Sequence, residues 1–482
     1  MLFNSWPFVF LLLATACVYF GLCRSESHQI YTLIVASLLF YSYGQASLVL
    51  LLVLSIVINT VACYKIESAS SKQGSRIWAT VGIVVNLGIL ALFKYAGLFA
   101  GMLWSTPEQA GGMGAWLVQL PLPIGISFYT FQGISLLADT FSGDFKQGNR
   151  RKGWFTSFRD SFFFISFFPQ LVAGPVVKAK QFIPQIGQKQ WRSIDKHLLL
   201  HCLITGYFLK MVVADNLKDQ TFWIQFPYFE NRSSIDLLIM LLSYSAQIFA
   251  DFAGYSLIAI GAAALFGYTL PKNFNFPYIS RSIAEFWRRW HISLSSWLRE
   301  YLYFPLGGNR MGEARTYFNL MVVMFLGGLW HGAAWSFAVW GLWHGVGLAL
   351  ERAAGNMLKS GTGNRVVHKP NRLLSLCVDL GRWVAVFLFV SFGWLLFKLT
   401  DINEAFLYLA SIRLNIDKSL NLPSILTSFI LITPVVIYHG LYLVSSGDKK
   451  KLAGVSGYFY GAMLFLILFN AGSSEAFVYF QF

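Results

Sequence analysis

Two histidines stand in sequence surroundings where a polar side chain is costly to bury. His331 lies in the glycine-rich segment GGLWHGA (residues 327–333) inside a long apolar run, and His291 follows two arginines and Trp290. An ionisable residue within a membrane-length apolar run indicates a functional site. An imidazole accepts a proton near pH 7, so either ring could remove the proton of a hydroxyl group. Glycines beside His331 would let a substrate or a neighbouring chain approach closely.

Transfer of an acyl group from a thioester to a hydroxyl fits this chemistry. Besides a base, the reaction needs hydrogen-bond donors for the negative charge that develops on the carbonyl oxygen. The candidates for that second role are His291, the Trp290 indole, Asn309 and backbone N–H groups freed by a helix break. The competing interpretation of each histidine is a core residue with satisfied hydrogen bonds, and His344 and His439 are interpreted in that way.

Other familiar reaction centres are missing from the sequence. It contains no phosphate-binding loop, GxSxG elbow or HExxH motif. The five cysteines show no CxxC or CxxH spacing, so neither a zinc site nor a disulfide framework is indicated, and no metal is expected.

The composition places the chain in a membrane. Of its 482 residues, 56% are hydrophobic and 12% are charged, whereas soluble domains carry roughly 25% charged residues. Apolar runs of membrane-helix length recur, which predicts an all-α polytopic fold in the lipid bilayer. The net charge of +15 comes from Lys and Arg in short loops between those runs, as the positive-inside rule describes, so no nucleic-acid partner is indicated.

Hydropathy predicts about ten or eleven membrane segments, some of them re-entrant, in a single domain over residues 1–482. Prolines at 121 and 123 delay one helix until about Ile124. Residues 161–177 are interpreted as a re-entrant hairpin, because basic residues flank both of their ends. The other predicted spans cover residues 7–22, 30–43, 46–63, 77–98, 197–214, 235–268, 374–399, 423–443 and 455–471.

The two candidate histidines fall on elements of different kinds. Residues 281–303 predict an amphipathic helix that lies at the membrane interface or lines the entrance for an anionic donor such as a CoA thioester. Residues 317–350 are too many for one crossing and too few for two, so two shorter helices that meet near residues 331–335 are predicted. On an unbroken helix His344 would be rotated by about 220° from His331, so both could face one site only if the helix breaks.

One buried acid is also a candidate. Asp251 lies within the apolar run 235–268, where a carboxylate is rare unless it is paired. It is expected to have a partner, either as a structural anchor to a neighbouring helix or as part of the site.

Four segments together resemble the membrane-bound O-acyltransferase family. They are LPIGISFYTF (122–131), FPQLVAGP (168–175), EFWRRWHISLS (285–295) and GGLWHG (327–332). The resemblance covers most of residues 1–350, with a motif-bearing core at about 115–352, and the remaining residues fit only by hydropathy.

The resemblance implies that His331 corresponds to the catalytic histidine of the family and His291 to its second important polar position. It implies re-entrant hairpins around a central tunnel, in which an acetyl group from a cytoplasmic donor meets an acceptor from the periplasmic side. The donor is expected to be acetyl-CoA, with no bound cofactor. Within the bacterial branch it implies an inner-membrane protein and a separate periplasmic acetyltransferase as partner. The residues expected along the tunnel or beside the substrate are Arg289, Trp290, Asp251 and Asn309.

The acceptor is less defined by the resemblance. The segment DFAGYSLIAIG (251–261) departs at Ala253 and Leu257 from the DFSGYSDMAIG common in alginate-type relatives. The expected function is O-acetylation of an exported or cell-wall polysaccharide, with alginate as first choice and cellulose or peptidoglycan as alternatives. Two rival functions are a transporter or flippase that moves an acyl or lipid-linked intermediate without chemistry, and a scaffold that anchors the periplasmic partner.

Overall fold

The computed structural model describes residues 1–103, 120–144, 153–172, 174–361, 372–445 and 456–472, and within these ranges the secondary structure is helical, with no strand. The all-α prediction is therefore confirmed. The α-helices of these ranges are, in chain order, α1 (Trp6–Gly21), α2 (Glu26–Gln45), α3 (Val49–Ser68), α4 (Lys72–Leu90), α5 (Ala96–Leu103), α6 (Ile126–Ser142), α7 (Trp154–Ser166), α8 (Phe168–Leu171), α9 (Ala179–Phe182), α10 (Lys196–Tyr207), α11 (Asp215–Thr221), α12 (Ser234–Leu265), α13 (Ile283–Arg289), α14 (Ile292–Leu298), α15 (Glu313–His331), α16 (Trp335–Gly361), α17 (Arg372–Lys398), α18 (Ile402–Leu414), α19 (Leu422–Ser445) and α20 (Ser456–Phe469).

Six helical stretches in the described part of the chain are long and apolar enough to cross a bilayer. Two shorter apolar helices, Trp6–Gly21 and Gly457–Phe469, accompany them. The protein is thus a multi-pass membrane protein, whereas the count of ten or eleven segments stays a prediction. The six stretches are Ala46–Ser68, Lys72–Ala100, Lys196–Ile224, Ser234–Leu265, Leu373–Lys398 and Leu422–Val444.

The described residues form two compact units. One contains the described part from 1 to 206 and residues 255–272, and the other contains residues 207–254 and the described part from 273 to 472. All six candidate site residues belong to the second unit. The expectation of one domain over the whole chain stays a prediction.

In the first unit, the helix that follows the two prolines begins at Ile126, two residues after the predicted start. Gly125 precedes it with φ +79, and a Cβ at this position would lie 2.7 Å from the carbonyl oxygen of Leu171. Glycine is required here because a side chain would be strained at this positive φ and would collide with the Leu171 backbone. The start of α6 is therefore set by the backbone that packs against it as well as by the prolines.

The described residues of segment 161–177 contain no helix of membrane length. Helix α7 ends at Ser166, the four-residue helix α8 follows after Phe167, and residues 175–178 have no regular secondary structure. Burial is nearly continuous through this segment. The absence of a spanning helix in its described residues agrees with the sequence, and the re-entrant course stays a prediction.

In the second unit, the predicted continuous helix over residues 281–303 is wrong. Helices α13 and α14 are separated by Trp290 and His291, and a π-helical turn, Arg299–Tyr303, follows. The apolar residues keep their helical spacing across the break. The sequence pattern therefore did not reveal the break.

The predicted pair of helices in residues 317–350 is confirmed. Helices α15 and α16 form an antiparallel hairpin whose turn, residues 332–334, lies where the sequence predicted it. Gly328 and Gly341 face each other in this hairpin: a Cβ on Gly328 would lie 2.2 Å from the carbonyl oxygen of Phe337, and one on Gly341 2.2 Å from that of Met324. The two backbones pack closely because neither position carries a side chain.

Candidate active site

His331 is the last residue of α15, at the turn of the hairpin. The close contact between α15 and α16 at Gly328 and Gly341 holds this turn against the start of α16. On its other side α15 approaches α14, where a Cβ on Gly327 would lie 3.2 Å from the Leu298 side chain. The helices on either side of His331 thus bring it next to the segment that carries His291.

His291 is positioned by a loop from outside its own helices. Its backbone is left-handed, with φ 42 and ψ 51, an uncommon conformation for a residue with a side chain. The loop at residues 273–275 stabilises it, because Ile292 N donates to the carbonyl of Asn273 and Asn275 N donates to the carbonyl of Arg289, both at 2.9 Å. These two bonds replace hydrogen bonds that the helix loses at the break.

The start of α13 is also fixed to the hairpin. The carboxylate of Glu351, on α16, accepts hydrogen bonds from the backbone N–H groups of Ile283 and Ala284. A negative charge is favourable at the N-terminus of a helix. The segment that carries His291 is thereby attached to the hairpin that carries His331.

The two histidine rings lie 6.1 Å apart between centroids, with an angle of 54° between their planes. His291 is fully buried and His331 is 4% exposed. The sequence predicted that these two residues belong to one site, and the structure brings them together. The distance is short enough for one small acyl group to touch both rings.

Aromatic side chains enclose the pair. Around His331 lie Trp330 at 5.1 Å, Trp340 at 5.1 Å and Phe397 at 5.3 Å between ring centroids. Against His291 lie Phe252 at 4.6 Å and Trp330 at 5.8 Å. Such surroundings exclude water and strengthen any hydrogen bond that forms inside.

His291 is uncharged at neutral pH. It lies outside the membrane-length helices, and burial lowers its pKa from 6.5 to about 3. Its Nδ1 lies 3.3 Å from Oδ1 of Asn273, which also accepts a hydrogen bond from the Ser293 hydroxyl. Because an amide oxygen only accepts, the tautomer that fits this contact carries its proton on Nδ1 and accepts at Nε2.

Trp290 and Arg289 support the segment around His291. The Trp290 ring packs against Phe274 at 4.9 Å and Trp394 at 4.8 Å. Arg289 forms an ion pair with Glu285 at 2.9 Å and donates to the carbonyl of Asn275 at 3.0 Å. Both residues adjoin the pair along the chain, and these contacts stabilise the loop.

Asp251 has the partner that the sequence led us to expect. Its Oδ1 lies 2.8 Å from Nζ of Lys210, which also contacts Asp215 at 2.7 Å, and all three side chains are at most 4% exposed. The prediction of a buried pair is therefore confirmed, and the geometry favours the structural interpretation of this carboxylate over a role in the site.

Asn309 is an exposed residue in the turns between α14 and α15. The structure records no hydrogen bond from its side chain to either candidate histidine. A different asparagine, Asn319, stabilises these turns: it is buried and donates to the carbonyls of Leu306 and Gly308 at 3.2 and 2.9 Å. These bonds hold the turn that contains Asn309.

Sequence reasoning missed Asn273 and Trp340. Asn273 sits in KNFNF (272–276), a loop segment without helical period, and its importance arises from a contact 18 residues away in the chain. Trp340 was one tryptophan among 16. Its position could have been predicted, since the expected hairpin of two helices pairs residues near 340 with residues near 331. Within the described ranges, no group of three or more His, Cys, Asp or Glu side chains could hold a metal ion.

Fold and site together define a multi-pass helical membrane protein with a buried, aromatic-lined histidine pair. The family model described as MBOAT, membrane-bound O-acyltransferase family, matches residues 102–391, more than half of the chain. The chain belongs to this family, and it is an acyltransferase.

The names of similar relatives refer to three different polymers. The "Probable alginate O-acetylase AlgI" of Pseudomonas aeruginosa is 37% identical over 413 residues, which cover 84% of this chain and 73% of the relative. The "Peptidoglycan O-acetyltransferase" of Helicobacter pylori is 34% identical over 434 residues, 84% and 78% of the two chains. The "Teichoic acid D-alanyltransferase" of Bacillus subtilis is 31% identical over 237 residues, 46% and 57% of the two chains.

Proposed function

We propose that the protein transfers acetyl groups from a cytoplasmic donor, acetyl-CoA, across the bacterial inner membrane for O-acetylation of an exported or cell-wall polysaccharide. The observation that carries this proposal is the buried pair of imidazoles, 6.1 Å apart, in a chain that belongs to the O-acyltransferase family. Relatives named for acetylation of alginate and of peptidoglycan support an acetyl group as the cargo.

In the proposed reaction His331 is the general base. It accepts the proton of the acceptor hydroxyl while the hydroxyl oxygen attacks the thioester carbonyl carbon. The C–O bond forms, the C–S bond breaks, and the imidazolium returns the proton to the departing thiolate. An imidazole held in a dry site can both accept the hydroxyl proton and return it to the thiolate.

His291 has a different proposed role because its protonation state is fixed. With Nδ1 donating to Asn273, Nε2 can accept a hydrogen bond. We therefore assign His291 to orientation of the acceptor hydroxyl, which would donate to Nε2 before His331 removes its proton. Orientation of this kind lowers the barrier by fixing the attacking atom in place.

The donor is proposed to enter beside α13. Arg288 is exposed there, and the neighbouring Arg289 keeps 19% of its side chain exposed. Guanidinium groups bind phosphates well, so this end of the helix would suit the charged part of acetyl-CoA.

The acceptor side is proposed by similarity. A separate periplasmic acetyltransferase would complete transfer to the sugar hydroxyl, with alginate as first choice of polymer and cellulose or peptidoglycan as alternatives. The departures at Ala253 and Leu257 leave the reaction class intact, since they concern residues outside the histidine pair, but they do not identify the polymer.

The rival functions gain no support from the site. A transporter or flippase without chemistry would not need a dry histidine pair, and membership of the acyltransferase family favours chemistry. The same argument holds against a scaffold, for which His331 would be dispensable.

Purified protein incubated with radiolabelled acetyl-CoA, with water as the acceptor of the acetyl group, tests the proposal. We expect thioester cleavage that is lost in His331→Ala, with the exposed His197 as control, because His197→Ala should keep the rate of the unchanged protein. Uptake of label into vesicles without cleavage would support the transporter instead. Cleavage that continues in folded His331→Ala would refute the assignment of the base.

A further inference from the structure

Three aromatic side chains, of which Trp340 contacts His331, form a group that we call the indole–imidazole cluster. Trp340 and His344 stand four residues apart on α16, on the same face of the helix, and Trp287 of α13 completes the group. The ring centroids are 5.0 Å apart for Trp340 and His344, 5.1 Å for Trp287 and His344, and 5.7 Å for the two tryptophans.

The cluster contains buried nitrogens that no described residue satisfies. Trp340 is 1% exposed and His344 is fully buried. Neither the indole N–H of Trp340, nor that of Trp287, nor either ring nitrogen of His344 has a hydrogen-bond partner among the described residues. Buried polar groups are nearly always paired, so each exception needs an explanation. Packing does not supply one, since phenylalanine or leucine would fill the same space.

The cluster adjoins the candidate base. The Trp340 ring lies 5.1 Å from His331 and 5.0 Å from His344, edge to face in both cases. This arrangement requires the break after His331, which folds α16 back along α15. On a continuous helix His344 would be rotated by about 220° from His331. Because the helix breaks between them, this rotation does not keep His344 away from the site.

We propose that Trp340 and His344 donate hydrogen bonds to the carbonyl oxygen of the acyl group during transfer. An indole offers one N–H and accepts nothing, and a neutral imidazole offers one N–H. As the hydroxyl oxygen bonds to the carbonyl carbon, the C=O π electrons move onto the carbonyl oxygen, and they return when the C–S bond breaks. Both N–H bonds stay intact, and their dipoles stabilise the charged intermediate more than the uncharged thioester.

This inference rests on the proposed function, and conservative substitutions in the full-length protein test it. Trp340→Phe keeps an aromatic ring and removes the donor, so kcat for thioester cleavage should fall by about 10²-fold with the KM for acetyl-CoA unchanged. His344→Leu should lower kcat in the same way, whereas His344→Gln retains an N–H and should recover part of the loss. Binding of an unreactive ketone analogue of acetyl-CoA should persist in all three variants.

Trp343→Phe is the matched control. Trp343 lies on the same helix, is 39% exposed, and its indole donates to the carbonyl of Phe389 at 3.1 Å, so its variant should keep the rate of the unchanged protein. The inference is overturned if Trp340→Phe is folded and as active as Trp343→Phe. If Trp340→Phe does not fold, equal rates for His344→Leu and His344→Gln overturn it.

Parallel assays separate this inference from the proposed function. If the unchanged protein cleaves acetyl-CoA and His331→Ala does not, the proposed function stands whatever the Trp340 and His344 variants do. If the unchanged protein does not cleave it, the proposed function itself fails.

Discussion

At the scale of single residues, His291 depends on a neighbour that is distant in the chain. Asn273 accepts a hydrogen bond from its Nδ1 and, through its backbone carbonyl, from Ile292 N. One asparagine therefore determines both the direction of the ring and the nitrogen that carries its proton. We regard Asn273 as a positioning residue, since it would act through His291.

Replacement of Asn273 by alanine should lower the rate of acetyl transfer. The loss of one hydrogen bond to a buried ring corresponds to a roughly ten- to hundredfold decrease in rate. If His291 orients the acceptor, kcat should fall and the KM for acetyl-CoA should stay the same. Steady-state kinetics of the purified variant measure both quantities.

The control for that variant is Asn403→Ala, which changes an exposed asparagine. It should match the unchanged protein in rate and in thermal unfolding. If Asn273→Ala kept its full kcat while the protein stayed folded, Asn273 would have no part in positioning His291.

At the scale of helices, the site depends on two interruptions. The break after His331 lies between α15 and α16, and the break at Trp290 and His291 lies between α13 and α14. The first was predicted from length, because an apolar run of 34 residues suits neither one crossing nor two. The second was not predicted, because the bonds that stabilise it come from residues 273–275, and local periodicity carries no information about them.

The helix hairpin yields a stability prediction. Gly341→Ala would place a Cβ 2.2 Å from the carbonyl oxygen of Met324, so the backbones must separate. We expect a loss of about 1–3 kcal/mol in unfolding free energy and a lower midpoint of thermal unfolding in detergent. The rate per folded molecule should also fall, because the hairpin positions His331.

Gly355→Ala is the comparison on the same helix, because a Cβ there meets nothing within 4 Å. It should be neutral or stabilising, since alanine is favoured over glycine within helices. Equal unfolding midpoints for the two variants would show that close contact at Gly341 does not hold the hairpin together.

At the scale of the whole molecule, the part of the chain beyond the family model also supports the site. Phe397 packs against His331. Tyr438 and Tyr442 of α19 stack on Phe276 at 4.5 and 4.2 Å, in the loop that begins with Asn273. The sequence predicted these residues only as apolar spans, and α18 (Ile402–Leu414) was not predicted at all. Hydropathy reports which residues enter the membrane, whereas packing partners depend on tertiary contacts.

The partners of the buried charged residues could not be predicted from the sequence either. The sequence indicated that Asp251 needs a partner, yet Lys210 lies 41 residues earlier and is joined to it only by the fold. Lys210→Met would leave two buried carboxylates without their cation, at a cost of about 3–5 kcal/mol. Thermal unfolding should reveal this as a marked loss of stability.

A combined variant separates structure from chemistry at this cluster. Replacing Lys210 by Met and both aspartates by Leu should restore stability and leave the rate per folded molecule unchanged. As a comparison, Arg281→Met breaks the exposed pair with Asp379 and should cost at most about 1 kcal/mol. A combined variant that is folded but inactive would show that Asp251 has a role in the active site.

The most direct test of the account is a comparison of four proteins: unchanged, His331→Ala, His291→Ala and the double variant. Each is mixed with acetyl-CoA, with water as the acceptor of the acetyl group, and free CoA is measured by chromatography in a single turnover. Residues that act as a unit are strongly non-additive, so the double variant should be no slower than His331→Ala. Both variants should lack the rapid release of CoA that we expect of the unchanged protein. Rapid release in folded His331→Ala would contradict the account, as would losses that multiply in the double variant.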